Sequence, residues 1–175
     1  MKREIRLSGS GGQGLILAGI ILAEGAILSN LNAVQSQSYG PEARGGASKS
    51  EVILSNKDIN FPKVIESDIL VALTQKSFDE YIKKSKEGSI AIVDSEIDTN
   101  QVNNMKIYKV PIIKTAEDVI QKSMTANLVT LGVLSGIIDE INKECLKFAI
   151  ERRVPRGTEA INIKAFEEGI KLLQI

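Results

Sequence analysis

The sequence predicts a three-layer α/β domain, a mostly parallel sheet with helices on both faces in the Rossmann-like manner. Two observations carry this reading. Short runs of Ile, Val and Leu bounded by turn residues alternate with longer stretches of helical periodicity, as strands and crossover helices do. The first of these runs ends in a glycine-rich turn, Gly9-Ser10-Gly11-Gly12-Gln13-Gly14, from which an apolar helix departs. At 175 residues the chain, 1–175, has the size of one ordinary domain and can bury a core without disulfide or metal staples.

Taken in order, Glu4 to Ser8 is the first strand. Leu15 to Leu28 follows as a helix that is apolar on nearly every side except at Glu24, the pattern of a deeply buried helix. Further strands are expected at Ala33 to Gln35, Ser50 to Leu54, Asp68 to Leu73, Ser89 to Val93 and Ile107 to Val110. Helices are expected at Ser77 to Lys86, at Thr115 to Asn142 with a break near Ser123, at Lys143 to Arg152 and at Lys164 to Leu173. Thr115 with Asp118 three residues on resembles a helix start, with a carboxylate in the first turn where the dipole favours it. Ser36 to Lys49, rich in glycine and serine and carrying Pro41, Glu42 and Arg44, has too little apolar content for core. No internal repeat, heptad seam or domain linker interrupts the chain.

Composition narrows the chemistry. Lys plus Arg equals Asp plus Glu at 22 each, so no net field gathers nucleic acid or anionic lipid around the molecule. The single cysteine, Cys145, can neither close an internal disulfide nor supply the several thiolates of a zinc or iron–sulfur site, and no metal centre is expected. With no histidine, a Ser-His-Asp or Cys-His system cannot be built. Lys2 and Arg3 precede a glycine turn that no signal peptide would place there. The longest apolar run, Leu15 to Ala23, falls short of the roughly 20 residues of a membrane span. The expectation is a cytoplasmic protein without membrane segments.

Gly9, Gly11 and Gly14 match G-x-G-x-x-G between a strand and a helix, where backbone amides and the helix N-terminus can cradle phosphate. The dinucleotide version needs an acidic residue about 20 positions on to hold a ribose hydroxyl. Asn30, Asn32 and Gln35 stand there instead, which disfavours NAD. Gly12 and the amide of Gln13 are surplus to that template and point to a close backbone contact of another kind, with an anion or a subunit. Against this stands the plain alternative that the glycines serve only tight turn geometry and helix-on-sheet packing.

A second motif runs Gln35-Ser36-Gln37-Ser38-Tyr39-Gly40-Pro41-Glu42-Ala43-Arg44-Gly45-Gly46-Ala47-Ser48-Lys49-Ser50-Glu51-Val52. Together with Gly9 to Gly14 it closely resembles the gamma subunit of 2-oxoacid:ferredoxin oxidoreductases. The resemblance is specific over the N-terminal third and extends to Asn127-Leu128 and Leu131-Gly132 of the later helix. It implies a part of an enzyme complex that oxidatively decarboxylates a 2-oxoacid to acyl-coenzyme A and passes two electrons to ferredoxin. The wording from Gln37 to Gly46 looks more like the 2-oxoglutarate type than the pyruvate type, with branched-chain and indolepyruvate members as neighbours. The resemblance also implies that thiamine diphosphate and iron–sulfur clusters are carried by other subunits, that none is bound by this chain alone, and that the complex uses coenzyme A. The alternative is a free-standing Rossmann-like nucleotide-binding protein using Gly9 to Gly14.

Physically, Pro41 restrains Gly40 while Gly45 and Gly46 permit unusual backbone angles, so the second motif reads as a shaped loop. Arg44 offers a planar fork of donors to a carboxylate or phosphate, on coenzyme A, near the thiamine cofactor or on a neighbouring subunit. Glu42 and Arg44 also admit the bland reading of a solvated ion pair. The candidate ligand or interface residues are Gly9, Gly11, Gly12, Gln13, Gly14, Ser38, Tyr39, Gly40, Glu42, Arg44, Gly45, Gly46 and Asn127, none of them catalytic. Asn127 interrupts an apolar helix, so its amide is expected to hydrogen-bond a loop. Asp94 either faces the ligand crevice or caps the next segment. Arg152, Arg153 and Arg156 read first as a solvated helix end, and Cys145 as a small semi-buried residue. An isolated chain with exposed interface patches is expected to self-associate.

Overall fold

The computed structural model describes residues 1–38, 47–100 and 102–173. Six strands, β1 (Lys2–Gly9), β2 (Asn32–Ser38), β3 (Ser48–Ser55), β4 (Ser67–Ala72), β5 (Ser85–Asp94) and β6 (Lys106–Val110), form one sheet in the order β2-β3-β1-β4-β5-β6. Strands β1, β4, β5 and β6 are parallel. β3 runs against both β1 and β2, so it alone opposes the common direction and the sheet is mostly parallel as expected. All six predicted strands are present and most extend beyond their apolar runs, because ladder partners decide where pairing stops: Lys2 pairs with Ser55 and Gly9 with Ser48.

Helices cover both faces. α1 (Leu15–Leu28) and α4 (Ala126–Ser135) share one side of the sheet, with α5 (Lys143–Arg153) packed on α1 and α6 (Glu159–Lys171) on α4 as an outer tier. Ile5, Leu7, Val52, Ile69 and Val71 point to this side. Their strand neighbours Leu70, Ala72, Ala91 and Val93 point to the other, against Phe78 and Tyr81 of α2 (Gln75–Tyr81). This two-faced apolar alternation is what a strand covered on both sides requires.

Every residue of α4 is buried. Its hydroxyls bond inward, Thr130 Oγ1 to the Ala126 carbonyl at 2.8 Å and Ser135 Oγ to that of Gly132 at 2.7 Å. Where α4 crosses α6, two glycines bring the backbones together. A Cβ on Gly132 would lie 2.1 Å from the Phe166 carbonyl oxygen, and one on Gly169 2.1 Å from that of Val129.

Several boundaries differ from the sequence expectation. The Ser77 to Lys86 helix starts at Gln75, because Thr74 caps it by accepting from the Ser77 amide, and it gives way to a 3₁₀ turn at Ile82–Lys84. Ser85 and Lys86 instead begin β5, with Ser85 held opposite Ser67. The Thr115 to Asn142 stretch is not one helix. It opens with the short α3 (Ile112–Lys114), widens into a π-turn at Thr115–Val119, passes Gln121 at φ 60 and a 3₁₀ turn at Ser123–Thr125, and ends as α4 before Gly136. The break near Ser123 is present, but Thr115 is not a helix start: its amide donates to the Pro111 carbonyl from within the helical run. α6 begins at Glu159, five residues before the apolar periodicity suggests, since Asn162 holds a buried position on its inner face. Ser36 to Lys49 is partly structural too, because Ser36–Ser38 and Ser48–Lys49 extend the ladder and Ala47 is buried in the α2-side core. α1 is not buried all round: Ile27 is 58% and Leu28 39% exposed, and Ile16, Leu17 and Ile20 are half-buried. Among the described residues no helix is long and apolar enough to cross a membrane.

The α4–α6 crossing sets a clear expectation. Gly132→Ala gains about 1 kcal/mol of helix propensity. It also forces two backbones apart in a packed interior, and overpacking of this kind costs roughly 1–3 kcal/mol with no flexible side chain to yield. The clash wins, and urea unfolding should show a net loss of stability. A neutral or stabilised Gly132→Ala protein would contradict the crossing.

Candidate functional site

The glycine turn stands at the carboxyl end of β1, and its glycines do different work. Gly9 is close-packed, since a Cβ there would meet Gln13 Oε1 at 2.2 Å and Leu15 Cδ1 at 3.0 Å. Gln13 closes the turn, its Oε1 accepting from the Ser10 amide at 2.8 Å. Gly14 is the N-cap of α1 at φ 71, in the left-handed region, and a Cβ on it would lie 2.6 Å from Asn127 Nδ2. Gly12 also has positive φ, at 85°, whereas Gly11 does not, and a Cβ on either would meet nothing within 4 Å. Packing explains Gly9 and Gly14 and backbone angle explains Gly12. Nothing within the described residues requires Gly11.

Asn127 fixes this turn to the core. It is 3% exposed; its Nδ2 donates to the Gly14 carbonyl at 3.2 Å and its Oδ1 accepts from the Leu128 amide at 3.0 Å. The expected loop contact is therefore present, made by the first turn of α4. No side chain among the described residues caps α1 and no acidic residue stands in its first turn. The first intrahelical amide bond is Ala18 to Gly14, so the preceding amides and the positive end of the helix dipole remain directed at the turn.

Two clefts meet at the turn. One of about 260 Å³ is lined by Ser10, Gly12, Gln13, Ile16 and Ser48. The other, about 240 Å³ and mainly apolar, lies between Gly12, Leu17, Met124, Leu128 and Ile161, with Asn127 and Asn162 among its few polar groups. Met124 is 81% exposed at its rim.

The second motif approaches the same edge. Gly9 pairs with Ser48 across β1 and β3, and Ser38 pairs with Lys49 across β2 and β3, so both ends of the motif's loop leave the sheet beside the glycine turn. Tyr39, Gly40, Glu42, Arg44, Gly45 and Gly46 themselves lie outside the described residues. The returning end is held by residues that inspection of the sequence did not single out. Tyr81 donates its hydroxyl to the Ala47 carbonyl at 3.4 Å, Lys49 Nζ lies 3.1 Å from Glu51 Oε1, and Arg6 Nε donates to the same oxygen at 2.8 Å. Arg6 is 2% exposed, gives its remaining donors to the Lys84, Val64 and Ile65 carbonyls, and lies 5.4 Å from the Tyr81 ring centroid. A buried guanidinium persists only when fully paired in this way. The signal was available, since an arginine mid-strand in a sheet covered on both faces has to be buried and matched.

The remaining candidates are also placed. Asp94 fits both of its readings: it lines a cleft of about 500 Å³ at the end of β5, with Thr74, Ser95 and Lys114, and its two oxygens accept from the Glu96 amide at 3.2 Å and the Ile113 amide at 2.9 Å. Arg152 and Arg153 both pair with Glu24 of α1, and Arg156 is an exposed residue beyond the helix end. Cys145 is half-buried, with its thiol 3.5 Å from the Leu28 carbonyl.

The described residues thus form a mixed-sheet α/β domain in which a glycine turn without a side-chain cap links the first strand to the first helix. The chain belongs to the pyruvate ferredoxin/flavodoxin oxidoreductase family, whose sequence profile matches residues 4–172. It is 48% identical to the 2-oxoglutarate synthase subunit KorC of Methanocaldococcus jannaschii, over 98% of this chain and 94% of that protein. The gamma subunit of a keto/oxoacid ferredoxin oxidoreductase from Geobacter sulfurreducens is 44% identical and superposes with a TM-score of 0.86 over 99% of each chain. The fold also recurs in the 2-oxoglutarate:ferredoxin oxidoreductase of Magnetococcus marinus, at TM-score 0.89 and 22% identity, where this chain spans 31% of the longer one.

The division of labour among the glycines is testable by stability alone. Gly11→Ala should unfold within about 0.5 kcal/mol of the wild type, as surface substitutions away from special backbone do. Gly12→Ala should cost about 1–2 kcal/mol for a left-handed L-residue. Equal penalties at the two positions would contradict the turn geometry.

Proposed function

We propose that this chain is the gamma-type subunit of a 2-oxoglutarate:ferredoxin oxidoreductase. The observation that carries this reading is 48% identity to a 2-oxoglutarate synthase subunit over nearly the full length of both chains. The complex would cleave the bond between C1 and C2 of 2-oxoglutarate and release CO₂. C2 would be oxidised by two electrons, which pass to ferredoxin, and joined to the coenzyme A sulfur as succinyl-coenzyme A, the thiol proton being released.

The chemistry of carbanion formation and electron transfer would be supplied by thiamine diphosphate and iron–sulfur clusters when bound in partner subunits. A cluster asks for about four thiolates, and this chain has one cysteine. What its own residues fit is the binding of an anionic, partly apolar ligand such as coenzyme A. The uncapped amides at the start of α1 would receive a phosphate. The apolar cleft along Leu17, Met124 and Ile161 would take uncharged chain, and Arg44 would supply a cation from the second motif. Gly11 is then glycine because something outside the chain approaches it. We read the setting as cytoplasmic, with the thiamine-binding subunit as the direct partner.

The test is to purify the tagged complex and follow viologen reduction dependent on both 2-oxoglutarate and coenzyme A. Gly11→Val and Arg44→Ala should each lower kcat/KM for coenzyme A by about tenfold, the loss of one good contact, while the subunits still co-purify. Because a side chain at Gly11 meets nothing among the described residues, a loss there reports a contact with a group beyond them. Unchanged kinetics in both variants would overturn the ligand assignment, and a chain that purifies alone with tight nucleotide binding would overturn the subunit reading.

A further inference from the structure

The apolar cleft beside the glycine turn has walls of Leu17, Leu128, Val154 and Ile161, and most of the polar side chains among them are satisfied within the chain. Thr125 Oγ1 donates to the Lys122 carbonyl at 2.7 Å, and Thr158 Oγ1 to that of Pro155 at 2.6 Å. Asn127 uses both ends of its amide, on the Gly14 carbonyl and the Leu128 amide. Asn162 differs. It is 8% exposed, and its Nδ2 donates to the Thr158 carbonyl at 2.8 Å and to Thr158 Oγ1 at 3.0 Å. A carbonyl only accepts, so these bonds fix which end of the amide is nitrogen. Oδ1 is left without a hydrogen-bond partner among the described residues. Nor is it sealed away, since the fully enclosed, unpaired side-chain oxygens among those residues are Ser89 Oγ and Glu140 Oε2. The open space at Asn162 is the cleft that it lines.

The second unmatched group is on Lys122, the one charged residue among those lining this cleft or its neighbour. It is exposed and forms no ion pair among the described residues. Its backbone is held in an unusual way. Gln121 before it stands at φ 60, the left-handed region that a residue with a Cβ enters at a cost. The Lys122 amide then donates to the Ala116 carbonyl at 2.9 Å, and its carbonyl accepts from the Thr125 amide at 3.0 Å. Strain of this kind persists where surrounding bonds over-determine it, and it gathers at ligand clamps. The cleft thus combines apolar walls, one open acceptor on a buried side chain and one unpaired cation. A ligand that matches it carries an N–H donor on an apolar chain, with an anionic group beyond.

We infer that Asn162 and Lys122 are the specificity-determining polar contacts of this cleft, Asn162 Oδ1 accepting from an amide N–H of the ligand's chain and Lys122 pairing with its anionic end. The assignment rests on the proposed coenzyme A site at the glycine turn, and it names what would recognise the coenzyme's arm, an amide-bearing chain that ends in phosphate. Continuity favours such a ligand over a partner's side chain. The two clefts share Gly12 and Gly14, so one molecule can run from the apolar walls to the turn. At about 240 Å³ the apolar cleft has the volume of about eight waters at roughly 30 Å³ each, room for a slender chain and not for a partner's helix. A buried acceptor is costly to leave unpaired, so a site built this way rejects a chain that lacks the donor.

Calorimetric titration of the full chain with 4′-phosphopantetheine, and with pantetheine, which keeps the amide-bearing arm but lacks the phosphate, tests this directly. Lys122→Met should weaken phosphopantetheine about tenfold, the loss of one charge-assisted contact, and leave pantetheine unchanged. Lys122→Arg should restore most of that loss. Asn162→Ala should weaken both ligands alike, by about tenfold. Because Asn162 also holds Thr158, its variant is read beside that of the exposed Lys122, with melting curves to check that both fold. The functional reading is judged apart, by viologen reduction dependent on 2-oxoglutarate and coenzyme A in the wild-type complex. Absence of that activity would sink the subunit reading whatever the chain binds. An active wild-type complex together with a phosphopantetheine affinity unmoved by Lys122→Met would overturn the cleft assignment alone. So would equal losses of the two ligands in that variant, loss of only one ligand in Asn162→Ala, or a wild-type chain that binds neither ligand at millimolar concentration.

Discussion

The structure depends on a helix that has no outside. With every residue of α4 buried, its neighbours are fixed on all sides: α6 through the Gly132–Gly169 contact, the sheet and α1 through its aliphatic side chains, and the glycine turn through Asn127. A helix placed that way cannot carry an unpaired polar group without a cost of about 1–3 kcal/mol. Asn127, Thr130 and Ser135 accordingly spend their hydrogen bonds on nearby backbone. The Asn127 bond is the consequential one, because it ties the buried interior to the glycine turn at the start of α1, where no side chain among the described residues caps the helix.

A second buried polar group does the same for the other motif. Arg6 and Glu51 lie on the α2 side of the sheet, and with Lys49 and Tyr81 they hold the end of β3 from which the second motif's loop emerges. The glycine turn and that loop therefore rise from neighbouring strand ends, each backed by a satisfied polar contact. Rigid strand ends at the carboxyl edge of the sheet are where α/β folds commonly place binding groups.

Much of this was legible in the sequence, for identifiable reasons. Ile5, Leu7, Ile69, Val71 and their alternating partners mark the strands because parallel sheets bury both faces, and Asn127 stood out because an amide inside an apolar helix needs partners. The misplaced helix ends had local causes outside hydrophobic periodicity: the Thr74–Ser77 cap, the left-handed Gln121 and the ladder claim on Ser85. Arg6 escaped notice because its burial follows only once β1 is placed inside a sheet covered on both faces, and its partners Glu51, Val64, Ile65 and Lys84 lie far off in the chain. The exposed end of α1 at Ile27 and Leu28 escaped because a uniformly apolar helix does not reveal which of its residues the fold leaves uncovered.

The account rests on α4 holding the glycine turn, and the coupling between Gly14 and Asn127 measures that most directly. A double-mutant cycle of Gly14→Ala and Asn127→Ala, read by chemical unfolding, should be non-additive by about 1–2 kcal/mol, within the range found for contacting residues. The sign should be relief, since removing the Asn127 amide also removes the group that a Cβ on Gly14 would strike at 2.6 Å. Strict additivity would mean that the turn and the buried helix are independent, and the account of how this site is positioned would fail.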